Sequence, residues 1–173
     1  EYGDYVPNED RIQKIVKEKY NTEVITEEGR GDSGIAYNLS NGDILKITTN
    51  KQEGKIAEYL LSNPHKYIIN YKDVWQDGDL YYIIMDKVEN ISSNLYSIIQ
   101  QYQELLDDNH IYNIEDAIKI INTSDLYKKY PIVTQEILKY LKHLEQSNIN
   151  IYDFLNPTNI GIQNNHLVFF DIN

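Results

Sequence analysis

The sequence contains no cysteine, which removes disulfide staples and thiolate zinc sites and sets the expectation of a reducing, cytoplasmic setting. It also lacks any run approaching the roughly 18 consecutive apolar residues that a membrane helix needs, so no membrane partner is expected. Bases are scarce: 16 Lys and Arg stand against 27 Asp and Glu, a formal net charge of -11. So acidic a surface repels a phosphate backbone, and nucleic acid is set aside as a partner. The short basic stretches at Lys14, Lys17, Lys19 and at Lys128, Lys129 are expected to be solvated helix faces. The opening residues Glu1 and Asp4 are acidic where a signal peptide carries basic and then apolar residues, which again points inside the cell. His65, His110, His143 and His166 show no metal-ligand spacing and are expected in ordinary surface or core roles.

What is present is a globular composition, 41% apolar in 173 residues, sufficient for one domain with a core. Residues 9–20 space Ile12, Ile15 and Val16 as an amphipathic helix, and Glu23-Val24-Ile25-Thr26 follows as strand. Glycines from 29 to 34 interrupt it. Ile35 to Leu39 resumes the strand pattern, Ser40-Asn41-Gly42-Asp43 turns, and Ile44 to Thr48 returns. Gln52 to Ser62 sets Ile56, Ala57, Leu60 and Leu61 on one helical stripe. Strand patterns at Ile68–Trp75 and Leu80–Met85 flank the hairpin signal Gln76-Asp77-Gly78-Asp79. Beyond Val88 the pattern is helical over Leu95–Leu106, Ile114–Ile121 and Ile132–Glu145, the last with Ile132, Val133, Ile137, Leu138, Leu141 and Leu144 on one face. Ile160-Gly161-Ile162 and Leu167 to Phe170 around Gln163-Asn164-Asn165 predict a closing hairpin. The expected class is α+β: a five-stranded antiparallel sheet with one inserted helix over residues 1–88, a hinge at 86–88, and a reduced helical part over 89–173.

Gly29, Gly31 and Gly34 fit G-x-G-x-x-G, a weak motif alone. In a dinucleotide fold such glycines open a helix, whereas here a strand follows, so a glycine hairpin covering phosphates fits better. Lys46 lies in the apolar strand Ile44-Leu45-Lys46-Ile47, where burying an ammonium is costly unless an anion meets it. The next helix offers two acids. Glu53 shares the face of Ile56, Ala57 and Leu60 and should point inward, while Glu58 should point outward. An inward Lys46–Glu53 pair would aim the lysine at phosphate oxygens. Asn159 and Asp171, twelve residues apart across the predicted hairpin, would be brought together as two oxygen ligands suited to Mg²⁺ beside a triphosphate.

In this order the segments Gly29–Gly34, Leu45-Lys46-Ile47, Glu53, Tyr82 to Val88, Asp153 to Asn159 and Phe170-Asp171 resemble a protein kinase over nearly the whole chain. The resemblance implies a bilobal fold binding ATP and Mg²⁺, with Gly29, Gly31 and Gly34 covering the phosphates, Lys46 held toward them by Glu53, and Asn159 and Asp171 on the metal. It further implies Met85 as gatekeeper and the hinge backbone from Asp86 to Val88 on adenine. Asp153 stands where kinases place the base that orients the substrate hydroxyl. Tyr152 replaces the usual arginine, the histidine of that motif is missing, and Asp153 precedes Asn159 by six residues where kinases have five. Strict spacing puts Phe154 at the base position. Two readings follow: the loop bulges by one residue and Asp153 acts, or the base has been lost. Only Ile172 and Asn173 follow Asp171, so a core without activation loop or peptide-docking helices is expected.

The resemblance thus implies transfer of the γ-phosphate to a protein hydroxyl, or alternatively a pseudokinase that regulates a protein partner without catalysis. Competing motifs fare worse. Gly31-Asp32-Ser33-Gly34 matches the nucleophile segment of chymotrypsin-like proteases, but no histidine precedes His65. Arg30-Gly31-Asp32 lies within the glycine loop, and the three Asn-x-Ser triplets at Asn38, Asn90 and Asn122 are expected by chance in so Asn- and Ser-rich a chain. The Asn-, Ile-, Lys- and Tyr-rich text hints at an AT-rich viral or mobile-element source.

Overall fold

A computed structural model describes residues 8–31 and 34–170. The chain is α+β and divides into two compact units, Glu1–Gly54 with Tyr71–Lys87, and Lys55–Asn70 with Val88–Asn173.

The first unit opens with α1 (Glu9–Tyr20), capped by the Asn8 side chain on the Arg11 N–H and ended by left-handed Asn21. β1 (Val24–Arg30), β2 (Gly34–Leu39), β3 (Ile44–Thr48), β4 (Tyr71–Asp77) and β5 (Leu80–Met85) form one antiparallel sheet in the order β1-β2-β3-β5-β4. Five strands were expected, and the alternation explains their common face. Ile35, Tyr37, Leu39, Leu45, Ile47, Tyr82 and Ile84 all turn to one side, where Ile12 and Val16 of α1 pack against them. Burying an aliphatic side chain stabilises by about 1.5–3 kcal/mol, so this stripe against α1 is the unit's main apolar contribution. The start of α2 (Lys51–Ser62) completes the unit.

The second unit holds the rest of α2, a two-residue β6 (Glu89–Asn90), α3 (Ser93–Asp108), α4 (Ile114–Thr123), α5 (Asp125–Lys129), α6 (Pro131–Glu145), β7 (Ile160–Gln163) and β8 (His166–Phe169). The β7–β8 turn uses Asn164 and Asn165, both left-handed at φ 51 and 61, the conformation a tight hairpin demands and asparagine tolerates. Among the described residues no helix is long and apolar enough to cross a membrane.

Three sequence expectations change. On α6 the buried face is Thr134, Ile137, Leu138, Tyr140, Leu141 and Leu144, whereas Ile132 is 79% exposed. At 100° per residue Ile132 lies well off the stripe set by Ile137 and Leu141. α5 and β6 were not expected; one is a single capped turn, the other two residues long. The strand expected from Ile68 begins only at Tyr71, because the backbone before it is committed elsewhere: Phe169 donates to the Tyr67 carbonyl at 2.9 Å and accepts from Ile69 at 2.9 Å. For this reason residues 55–70, expected with the first part, group with the second.

That junction gathers three of the four histidines. Tyr67, 2% exposed, stacks on His143 at 4.4 Å between ring centroids and meets His166 at 4.9 Å. His166 hydrogen-bonds the Lys66 carbonyl through Nε2 at 2.7 Å. His65 accepts the Tyr67 N–H at Nδ1, 3.2 Å away. Sequence spacing could not show this, since the rings come from α6, β8 and the segment after α2.

Desolvation, then the nearby His143 ring, hold His65 below its ordinary value of 6.5, while a hydrogen bond to the His143 backbone pulls the other way. The unfolded chain therefore binds a proton near pH 6.5 that the folded chain resists, and stability falls as pH drops through that value. Melting temperature measured from pH 7.5 to 5 should decline less steeply for His65→Gln than for the wild type; parallel curves would show that His65 does not titrate differently on folding.

Candidate functional site

Alternation that sends Leu45 and Ile47 into the α1-side core puts Lys46 on the other face of β3, between Ala36 of β2 and Ile83 of β5 in register. An ammonium there needs an anion. The chain supplies one within seven residues. Thr48, fully buried, accepts the Asn50 N–H at 3.0 Å. The Asn50 side chain then accepts the N–H groups of Gln52 and Glu53 at 3.0 and 3.2 Å, capping α2. Glu53 sits in that first turn, where the helix dipole favours an acid. It is 4% exposed and its Oε1 pairs with the Lys46 ammonium. Glu58 is exposed, so the helical spacing separated the two acids correctly.

Gly54, which sequence reasoning passed over, is what lets this turn approach the sheet. A Cβ there would run into the ring of Tyr81. Glycine in a helix costs about 1 kcal/mol against alanine, and here it brings Glu53 down to Lys46. The available signal was the adjacency of a helix-interior glycine to the candidate acid.

The pair is not closed on itself. Glu53 Oε2 is buried with no hydrogen-bond partner among the described residues. The Lys46 side chain is 18% exposed. A buried carboxylate oxygen left unsatisfied costs roughly 1–3 kcal/mol or more, so the site is built to receive a further donor.

The three candidate glycines differ in what the fold asks of them. A Cβ at Gly34 would strike the Ile47 carbonyl, so the β2–β3 pairing itself requires glycine. Around Gly29 and Gly31 nothing among the described residues lies within 4 Å of such a Cβ. The hairpin is drawn together by the Gly31 N–H donating to the Gly34 carbonyl at 2.9 Å. Met85, 5% exposed, ends β5 opposite Ile44 and Tyr71. The Asp86 carboxylate pairs with Lys72 at 2.8 Å, which also holds Asp43 at 2.6 Å. Both acids raise the lysine above its ordinary range, the Asp43 hydrogen bond most.

In the second unit, Val88 packs its side chain where a Cβ of Gly161 would fall, 2.6 Å away. Asn159 ends a single 3₁₀ turn, Pro157–Asn159, capped by Asn156 on the Thr158 N–H at 3.0 Å. Its Oδ1 accepts from the Thr158 hydroxyl at 3.2 Å. Its carbonyl accepts the Phe170 N–H at 3.0 Å, extending the Ile160–Phe169 pairing. Asp171 lies outside the described residues.

Asp153 is exposed and left-handed at φ 51, and its carbonyl accepts the Asn156 N–H at 2.8 Å, closing a turn. Its carboxylate makes no hydrogen bond or ion pair among the described residues. Phe154, the residue strict kinase spacing would select, is 4% exposed, with its carbonyl held by the Tyr140 hydroxyl at 3.0 Å. Of the two, only Asp153 offers a group to solvent.

No family model matches the sequence, and no curated protein matches it.

Removing one partner of a buried ion pair leaves an uncompensated charge and typically costs roughly 3–5 kcal/mol, whereas replacing both with apolar groups is close to neutral. Urea denaturation should therefore show Glu53→Ala strongly destabilised and Lys46→Met/Glu53→Leu much less so. Equal losses would remove the pair as the constraint on this face of the sheet.

Proposed function

We propose that the chain is a protein-kinase-like protein, its two units the two lobes of that fold, and that it binds ATP with Mg²⁺ and transfers the γ-phosphate to a protein hydroxyl. The observation that carries this reading is the Lys46–Glu53 pair: a lysine largely buried on a sheet, oriented by a buried glutamate, yet reachable from solvent. A lysine so held by a buried carboxylate is the arrangement phosphoryl transfer uses for positioning.

The glycines support it. Neither steric room nor backbone conformation obliges the chain to keep glycine at 29 and 31, so their demand is left for a ligand approaching the backbone. Met85 and the backbone from Asp86 to Val88 would meet the adenine. Asp86 would do so through its backbone alone, because its carboxylate belongs to Lys72.

Asn159 and Asp171 would hold Mg²⁺, which supplies charge neutralisation on the phosphates when bound. Asn159 fits, its amide oxygen engaged among the described residues by a neighbouring hydroxyl. Mg²⁺ needs only one or two protein ligands where phosphates provide others. Asp153 would accept the proton of the acceptor hydroxyl, its carboxylate being exposed and uncommitted.

A second reading has two observations behind it. The six-residue spacing and the left-handed turn at Asp153 suit a protein that binds nucleotide and docks on a partner without transfer.

Nucleotide at about 100 times its dissociation constant should stabilise the protein by roughly 2.7 kcal/mol, read as a rise in melting temperature with ATP and Mg²⁺. Gly31→Ala should keep the ligand-free melting temperature and shrink that rise; no rise in the wild type counts against both readings. With labelled ATP and cell lysate, Asp153→Ala should abolish transfer and preserve the melting shift. Absence of transfer in the wild type alongside an intact shift selects the non-catalytic reading.

A further inference from the structure

The core stripe of α6 faces inward through Ile137, Leu141 and Leu144. Gln135, Lys139, Lys142 and Gln146 recur at intervals of four, three and four residues and so form a second stripe along its outer side. That stripe is one wall of an open cavity of about 430 Å³, to which α4 contributes Asn122 and α6 also contributes His143. The volume falls in the range of roughly 300–1,000 Å³ typical of small-molecule sites.

The charge of this cavity runs against the rest of the chain. With 27 acids to 16 bases, nine of the fourteen lysines hold a carboxylate: Lys14, Lys17, Lys19, Lys46, Lys51, Lys72, Lys87, Lys119 and Lys128. Among the described residues Lys139 and Lys142, like Lys55, Lys66 and Lys129, do not; these two share one cavity, neither has an ion pair or a hydrogen bond, and no carboxylate lines that cavity. The amides of Gln135 and Gln146 are likewise uncommitted, while Asn122 gives one N–H to the Ile118 carbonyl at 2.8 Å.

From this we infer that the α4–α6 cavity binds a small phosphorylated molecule, with Lys139 and Lys142 as counter-charges and the two glutamine amides as donors to phosphate oxygens. Phosphate concentrates charge and several acceptor oxygens in a volume that one such cavity encloses. An acidic protein segment spreads its carboxylates along a chain and calls for a longer groove, and a nucleic acid would meet the net charge of -11.

The test is a titration of the ¹⁵N-labelled full chain with inorganic pyrophosphate, followed by side-chain amide signals. Saturable shifts of Gln135 and Gln146 are expected in the wild type and equally in Lys46→Met/Glu53→Leu, which removes the proposed nucleotide site without leaving a buried charge unpaired. Lys139→Gln/Lys142→Gln should weaken binding at least tenfold with no change in melting temperature, both side chains being exposed. The inference is overturned by non-saturating shifts, by unchanged affinity in Lys139→Gln/Lys142→Gln, by loss of the α6 shifts in Lys46→Met/Glu53→Leu, or by a penta-aspartate peptide binding as tightly as pyrophosphate.

Discussion

An ammonium on the face of a sheet must meet an anion, and much of the first unit follows from satisfying Lys46. The anion is Glu53, which reaches it only because the link from β3 is short, because Asn50 starts the helix at once, and because Gly54 lets the first turn settle on Tyr81. Each of these is a local choice with little value alone. Asn50 is an ordinary cap and Gly54 is a poor helix residue. Together they fix one carboxylate beside one lysine.

The fold was legible where a single period dominates. Alternation over residues 35–39 and 44–48 and the continuous apolar run 80–85 placed three strands, and the 3.6 period placed α1, α2, α3, α4 and α6 to within a few residues. It failed where backbone partners come from far away. Ile68 and Ile69 have the composition of strand residues, but Phe169 claims Tyr67 and Ile69, and no local pattern announces that. Ile132 failed for the opposite reason: counting it among apolar neighbours overlooked its angle on the helix.

The candidate site was legible in proportion to how much of it one helix or strand decides. Glu53 against Glu58 was a question of angle on α2, and the angle answered it. Gly54 showed only as a glycine beside the candidate acid, because the contact that gives it its role is with Tyr81, twenty-seven positions onward and on another element. Gly34 was read toward a ligand, yet its need is already met by the Ile47 carbonyl. The histidines escaped for the same reason as Ile68, and the lysines of α6 stand out only once the cavity they line is seen to hold no carboxylate.

The pairing of residues 67–69 with β8 also has a bearing on how the chain acquires its structure. His166 meets the backbone of Lys66 across a sequence separation of 100 residues, so this contact closes one of the longest loops in the molecule. Such closures are made late, since their entropy must be met before the contact stabilises anything. On a ribosome, Tyr67 is translated long before Phe169 exists to cover it. Until then a large aromatic ring and two isoleucines remain in water, and this short stretch is where a nascent chain would be most prone to wrong partners.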